Sequence, residues 1–276
     1  MKGICLIGLI TTAFALAMGS QATAQDNPDR VTVSFSDPSR PGLVKVHMVE
    51  GSITIQAYNG KDVTVETKPR GRSTNRRPDS NAQGLRRIDN NSSGLVAEEE
   101  NNVISISTGI GRTGNLNIQV PARTNLNVST VNGGTVTIEG VDGEIEASNT
   151  NGRVTLTDVS GSVVAHSVNG RVIASLKRVT PQKSMAFTSL NGNVDVTLPM
   201  DVKANVKLRA DNGEIYTDFD MQLKPSTANT TTDDSRARGG RYRIEVDRSM
   251  TGTINGGGPD MEFRTFNGNL YIRKAK

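Results

Sequence analysis

The sequence predicts an all-β fold: a single-chain β-solenoid, of β-helix or β-roll type, built from short strands with Asn-Gly corners. Three observations predict it. Eight Asn-Gly dipeptides occur in 276 residues, and Asn-Gly is the strongest short turn signal. Alternating apolar and polar residues follow these turns at a nearly fixed spacing, as half-buried strands require. Hydrophobic residues make up 34% of the chain, with six Phe, four Tyr and no Trp. That is too little for one large globular core, but a narrow core of stacked repeats needs only small β-branched side chains.

The chain divides by composition. Residues 1–24 read as a signal peptide, a helical leader removed after export. Lys2 starts it, Gly3 to Met18 is uncharged and mostly apolar, and Ala22-Thr23-Ala24 is a small-x-small cleavage site. The apolar run is short for a membrane span, so no integral span is expected after cleavage. The only cysteine, Cys5, lies inside the leader. The mature chain therefore lacks disulfides, thiolate metal sites, a Cys nucleophile and a lipidation point. Without Lys2 the charge is 31 basic against 28 acidic residues. So small an excess, in an exported protein, argues against a nucleic-acid partner.

Residues 25–67 carry N-terminal strands and a first coil, with Gly51-Ser-Ile-Thr-Ile as its clearest strand. Residues 68–94 hold Lys68, Arg70, Arg72, Arg76, Arg77, Arg86 and Arg87 among Pro, Asn and Ser, which reads as a basic flexible loop. Residues 95–222 form the main solenoid. There Gly143-Glu-Ile-Glu-Ala, Gly152-Arg-Val-Thr-Leu, Gly161-Ser-Val-Val-Ala and Gly170-Arg-Val-Ile-Ala follow one another at nine-residue intervals. Because Asn-Gly alternates with other x-Gly turns, the full period is two strands and two corners, about 18–22 residues. A meander of hairpins would also use Asn-Gly, but it would not need this double period. Val136, Ile138, Ile145, Val154, Leu156, Val163, Val172, Val194, Val196 and Ile215 are the expected inward residues. Residues 223–240 read as a polar loop, and 241–276 as C-terminal strands closing the solenoid. Seven of the ten aromatics lie after residue 186, as a wider or capped end would need.

The segments Val131-Asn-Gly-Gly-Thr-Val-Thr-Ile-Glu-Gly, Ser160-Gly-Ser-Val-Val-Ala-His-Ser-Val-Asn-Gly, Asp211-Asn-Gly-Glu-Ile-Tyr-Thr-Asp-Phe-Asp and Gly252-Thr-Ile-Asn-Gly-Gly-Gly-Pro, with the closing Thr-Phe-Asn-Gly-Asn-Leu-Tyr-Ile-Arg-Lys, resemble the DUF4097 family of bacterial exported proteins. The resemblance covers roughly residues 43–274. It implies a β-solenoid in the cell envelope, in the periplasm or at the cell surface. The family's usual adhesin label is an inference from shape.

No catalytic, cofactor or metal site is expected. The corner residues Asn132, Asn151, Asn169, Asn191 and Asn212 read as a structural ladder, because Asn tolerates positive φ and stacked amides bond along a stack. Asp142, Asp158, Asp195 and Asp218 sit at unequal offsets, unlike a calcium-binding repeat. His47 and His166 belong to no ligand motif. The outward carboxylates Glu144, Glu146, Asp195 and Glu214 keep a carbohydrate-active enzyme in view, but no nucleophile or metal constellation accompanies them. Arg153 over Arg171 on neighbouring coils places like charges together. With Ile173 and Tyr216 in the next outward column, they form a candidate surface for an anionic glycan. The function expected is a non-enzymatic, adhesin-like surface whose partner is a polysaccharide or an envelope protein. The alternatives are a carbohydrate-active enzyme and an envelope-stress component with a membrane-protein partner.

Overall fold

The computed structural model describes residues 30–69, 94–108, 114–132, 134–224, 229–234, 242–247 and 249–276. The leader, and most of the basic stretch 68–94, lie outside them. Every element among the described residues is a strand, and none is a helix able to cross a membrane. Twenty strands join in one continuous sheet, and a two-stranded hairpin stands apart.

The sheet consists of two parallel ladders. In the first, β2 (Gly42–Glu50), β6 (Val103–Thr108), β8 (Thr124–Asn132), β10 (Asp142–Asn151), the second half of β11 (Val154–Ser167), β13 (Met185–Asn191), β15 (Ala204–Asn212) and β21 (Asp260–Asn267) lie side by side. The second holds β3 (Ile53–Tyr58), β7 (Gly114–Pro121), β9 (Val136–Glu139), the first half of β11, β12 (Val172–Val179), β14 (Val194–Leu198), β16 (Ile215–Thr217) and β22 (Leu270–Lys274). Each strand of the first ladder is followed in sequence by one of the second, making a two-strand layer. β11 passes through both ladders, turning at Asp158 and Gly161, which have φ of 56° and 114°. Among the described residues, successive repeats do not pair as hairpins; equivalent residues pair in parallel, as Val136, Val154, Val172 and Val194 do.

Layer order departs from chain order at both ends. Layer 42–58 lies between 103–121 and 124–139. The C-terminal layer 260–274, expected to close the stack, instead lies between 185–198 and 204–217. Antiparallel strands do the closing. β5 (Leu95–Glu100) covers β6, while β4 (Asp62–Pro69) and β1 (Arg30–Ser34) cover β7. β20 (Met250–Ile254) and β17 (Met221–Lys224) cover β15. Glu98, Glu99 and Glu100 on β5 and the three-residue β16 are devices that discourage further edge pairing. Within the expected polar loop 223–240, Asn229–Asp234 (β18) pairs with Tyr242–Asp247 (β19).

Nine of the ten expected inward residues are no more than 2% exposed; Ile215, on the short β16, is only partly buried. One inward column runs Val46, Val128, Ala147, Ala165, Phe187, Phe263 and Leu208 across seven layers. The core widens where the alanines give way to phenylalanines, and the Phe187 and Phe263 rings stack at 5.4 Å. Burying a ring of this size contributes about 3 kcal/mol, so Phe187 and Phe263 thicken the core there, whereas Tyr216 and Phe266 of the same aromatic-rich third are exposed.

Candidate functional site

The corner between the ladders is fixed by two side-chain positions and one glycine. Asn151 Nδ2 donates to Asn132 Oδ1 at 2.9 Å, Asn169 to Asn151 at 2.8 Å, Asn191 to Asn169 at 2.8 Å, Asn267 to Asn191 at 2.8 Å and Asn212 to Asn267 at 2.9 Å. All five expected corner asparagines belong to this ladder, and Asn267 completes it between Asn191 and Asn212. None of the six has positive φ, so amide stacking, not left-handed backbone, selects Asn here. The following glycines answer to space. A Cβ on Gly152 would sit 1.9 Å from Gly134 O, and one on Gly170 2.1 Å from Gly152 O. Behind them a buried polar column seals the corner: Ser167 Oγ donates to Gly152 O at 2.9 Å, Ser189 Oγ to Gly170 O and Thr265 Oγ1 to Gly192 O at 2.8 Å each.

This corner holds the next residues in an outward row: Ser52, Thr135, Arg153, Arg171, Asn193, Asn269 and Glu214. Arg153 and Arg171 are exposed on adjacent layers. Among the described residues neither has a carboxylate within ion-pair distance. Cations at the opposite corner of the same layers are paired: Lys177 with Asp158 at 3.1 Å, Arg178 with Asp142 at 2.6 Å and Lys183 with Glu144 at 3.0 Å. Ile173 is half-buried in the outward column beside the arginines, next to Thr155 and Asp195.

Tyr216 shares that column but stands three layers further on, about 14 Å at the usual inter-strand spacing, with Asp195 and Tyr271 between. The structure thus brings Arg153, Arg171 and Ile173 together and leaves Tyr216 in a second cluster. There Tyr216 and Tyr271 stack at 5.2 Å with planes 7° apart. Arg273 lies 5.1 Å from the Tyr271 centroid and grips Asp195 through two bonds of 2.8 and 3.2 Å. The Tyr216 hydroxyl donates to Glu214 Oε2, and this bond, then the charge of Glu214, raises the phenol's pKa above its usual value. Asp195 in turn raises the pKa of Arg273, chiefly through the hydrogen bond. Counting strands in chain order hid Tyr271 and Asn269 from this surface, since both come from the inserted layer.

The four outward carboxylates are all engaged. Glu144 pairs with Lys183, Glu146 accepts from Asn127 Nδ2 at 2.8 Å, Asp195 holds Arg273 and Glu214 holds Tyr216. His47 and His166 are exposed on the first ladder's outer face, bonded to Ser129 Oγ and Thr188 Oγ1 at 2.8 Å each. Among the described residues no three His, Asp or Glu side chains converge as a metal site would need.

No protein-family model matches the chain, and no curated protein matches it in sequence. Among solved structures, a "putative cell adhesion protein" from Clostridium sporogenes aligns with 90% of this chain and 100% of its own at TM-score 0.40 and 9% identity. A "putative adhesin" from Bacteroides fragilis aligns over 91% and 98% at TM-score 0.30 and 12% identity. A "Putative lipid binding protein" from Parabacteroides distasonis does so over 91% and 98% at 0.26 and 10%. Likenesses this distant establish neither family nor function.

Proposed function

We propose that this chain is an exported, non-enzymatic β-solenoid of the bacterial cell envelope, of the DUF4097 kind, whose flat outer face binds an anionic envelope glycan. The observation that carries this reading is the Arg153–Arg171 pair. Two exposed guanidiniums on adjacent layers repel one another, while neighbouring cations are matched with carboxylates. A polymer bearing carboxylates or phosphates at regular intervals relieves that repulsion, and bidentate guanidinium contacts suit both groups. The parallel, in-register ladders support the solenoid reading, because they repeat the same outward positions along one axis.

A hydrolase on the same scaffold would need free, convergent carboxylates. Glu144, Glu146, Asp195 and Glu214 each have a partner instead, which favours binding over turnover. The test is retention of the purified protein on isolated cell-wall and envelope-polysaccharide fractions. Arg153→Glu with Arg171→Glu is expected to weaken retention at least tenfold; unchanged retention sinks the reading.

A further inference from the structure

A cavity of about 370 Å³ lies at the other corner, near the N-terminal end of the stack, between the 35–42 loop, the turn after Tyr58 and the turn after Pro121. Its apolar wall is Phe35, Pro41 and Pro121, and its cations are Arg40, Lys61 and Arg123. The loop that frames it is fixed. The Phe35 ring covers Gly42 so closely that a Cβ there would lie 2.2 Å from it. Asp37 N donates to Asn102 Oδ1 at 2.9 Å, and Arg40 Nε donates to Asp37 Oδ2 at 2.7 Å.

Arg40 is therefore already neutralised, and the other two cations are not. Among the described residues no carboxylate pairs with Lys61 or Arg123, and none lines the cavity. Arg123 also borders a second cavity of about 230 Å³, but Asp142 and Glu144 line that one and its Lys183 is already paired with Glu144, so the free cations belong to the first cavity.

We propose that this cavity is a binding site for an acidic sugar unit, its carboxylate held by Lys61 and Arg123 and its apolar ring face resting on Pro41 and Pro121. A pre-formed concave site with a few placed charges and an apolar wall is what a small ring ligand requires, and a fixed loop spares the ordering cost. The site shares with the proposed function only the premise of an anionic glycan, and it lies at a different corner from Arg153 and Arg171.

Titration of the full-length protein with D-galacturonate, trigalacturonate and neutral galactose, followed by ligand-observed NMR, tests it. Both acids bind and galactose does not. Lys61→Gln with Arg123→Gln weakens both acids at least tenfold, whereas Arg153→Glu with Arg171→Glu leaves galacturonate binding intact. Absence of acid binding by the unaltered protein, equal binding of galactose, or binding unmoved by the Lys61 and Arg123 changes overturns the site. Loss of envelope-polymer retention only in the Arg153 and Arg171 variant bears on the proposed function alone.

Discussion

Asn267 donates through Nδ2 to Asn191 Oδ1 at 2.8 Å, across 76 residues of sequence. The bond exists because β21 lies beside β13, and it places the chain's last layer inside the stack. The next rung, from Asn212 to Asn267 at 2.9 Å, ties that layer to 204–217 on its other side. Removing the C-terminal segment would therefore open an interior seam and expose Phe187 and Leu208, which are no more than 1% exposed.

The insertion predicts a cross-linking pattern. Thr188 is in register with Arg264, and Arg264 with Arg209. With Cys5 replaced by Ser, Thr188→Cys with Arg264→Cys should join through a short thiol cross-linker, since neighbouring strands are about 4.8 Å apart. Thr188→Cys with Arg209→Cys should not, because a layer intervenes. The reverse pattern, read by mass spectrometry, would mean stacking in chain order.

Gly170→Ala should destabilise by about 3 kcal/mol, because the added methyl meets a backbone oxygen that cannot step aside. The 2.1 Å approach to Gly152 O is the cause. Urea denaturation reads the effect; without the clash the change would stabilise by up to about 1 kcal/mol, so an unchanged or raised midpoint would mean that the layers separate easily there.

Asn149→Ser should stabilise by about 1 kcal/mol. Asn149 Nδ2 reaches Gly134 O at 2.8 Å and Arg153 O at 3.4 Å, but among the described residues its buried Oδ1 has no partner. Ser167 and Ser189 meet the same need with a hydroxyl alone. Removing an unsatisfied buried acceptor recovers its desolvation cost. A lower denaturation midpoint in this variant would contradict the assignment.

Tyr216 should ionise above the usual phenol range, and Glu214→Gln should return it there; ultraviolet absorbance of phenolate against pH measures both. A raised folded pKa means that the protonated phenol's contribution is fully present below the unfolded pKa and is lost as pH rises through the folded one. On the alkaline side of neutrality, the Tyr216–Glu214 contact should thus persist until the phenol itself ionises. A normal Tyr216 titration in the unaltered protein would show that the bond does not form in solution.

Much of this architecture was legible because glycine followed by alternating residues marks both a corner and a buried face. That pattern located the inward column from Val136 to Val196. It could not order the layers, since Gly192-Asn-Val-Asp-Val and Gly268-Asn-Leu-Tyr-Ile satisfy the same rule and can each pair with any neighbour. A finer signal does exist. Met185, Phe187, Ser189, Asn191 and Asn193 are matched in register or at the corner by Met261, Phe263, Thr265, Asn267 and Asn269. Side-chain volumes matched along a stack mark neighbours where polarity alone does not. The candidate surface was legible in part for the same reason: Arg153 comes from one layer and Arg171 and Ile173 from the next, whereas Tyr216 stands beyond both the layer of Asp195 and the inserted layer of Tyr271.

The most direct test of the central claim is the affinity of the purified protein for polygalacturonate, measured against a neutral galactan over a salt series. The unaltered protein should prefer the acidic polymer and lose affinity as salt rises; in a Lys61→Gln and Arg123→Gln background, it should bind at least tenfold more weakly after Arg153→Glu with Arg171→Glu. Equal affinity for the neutral polymer, or binding indifferent to that charge reversal, would contradict the account.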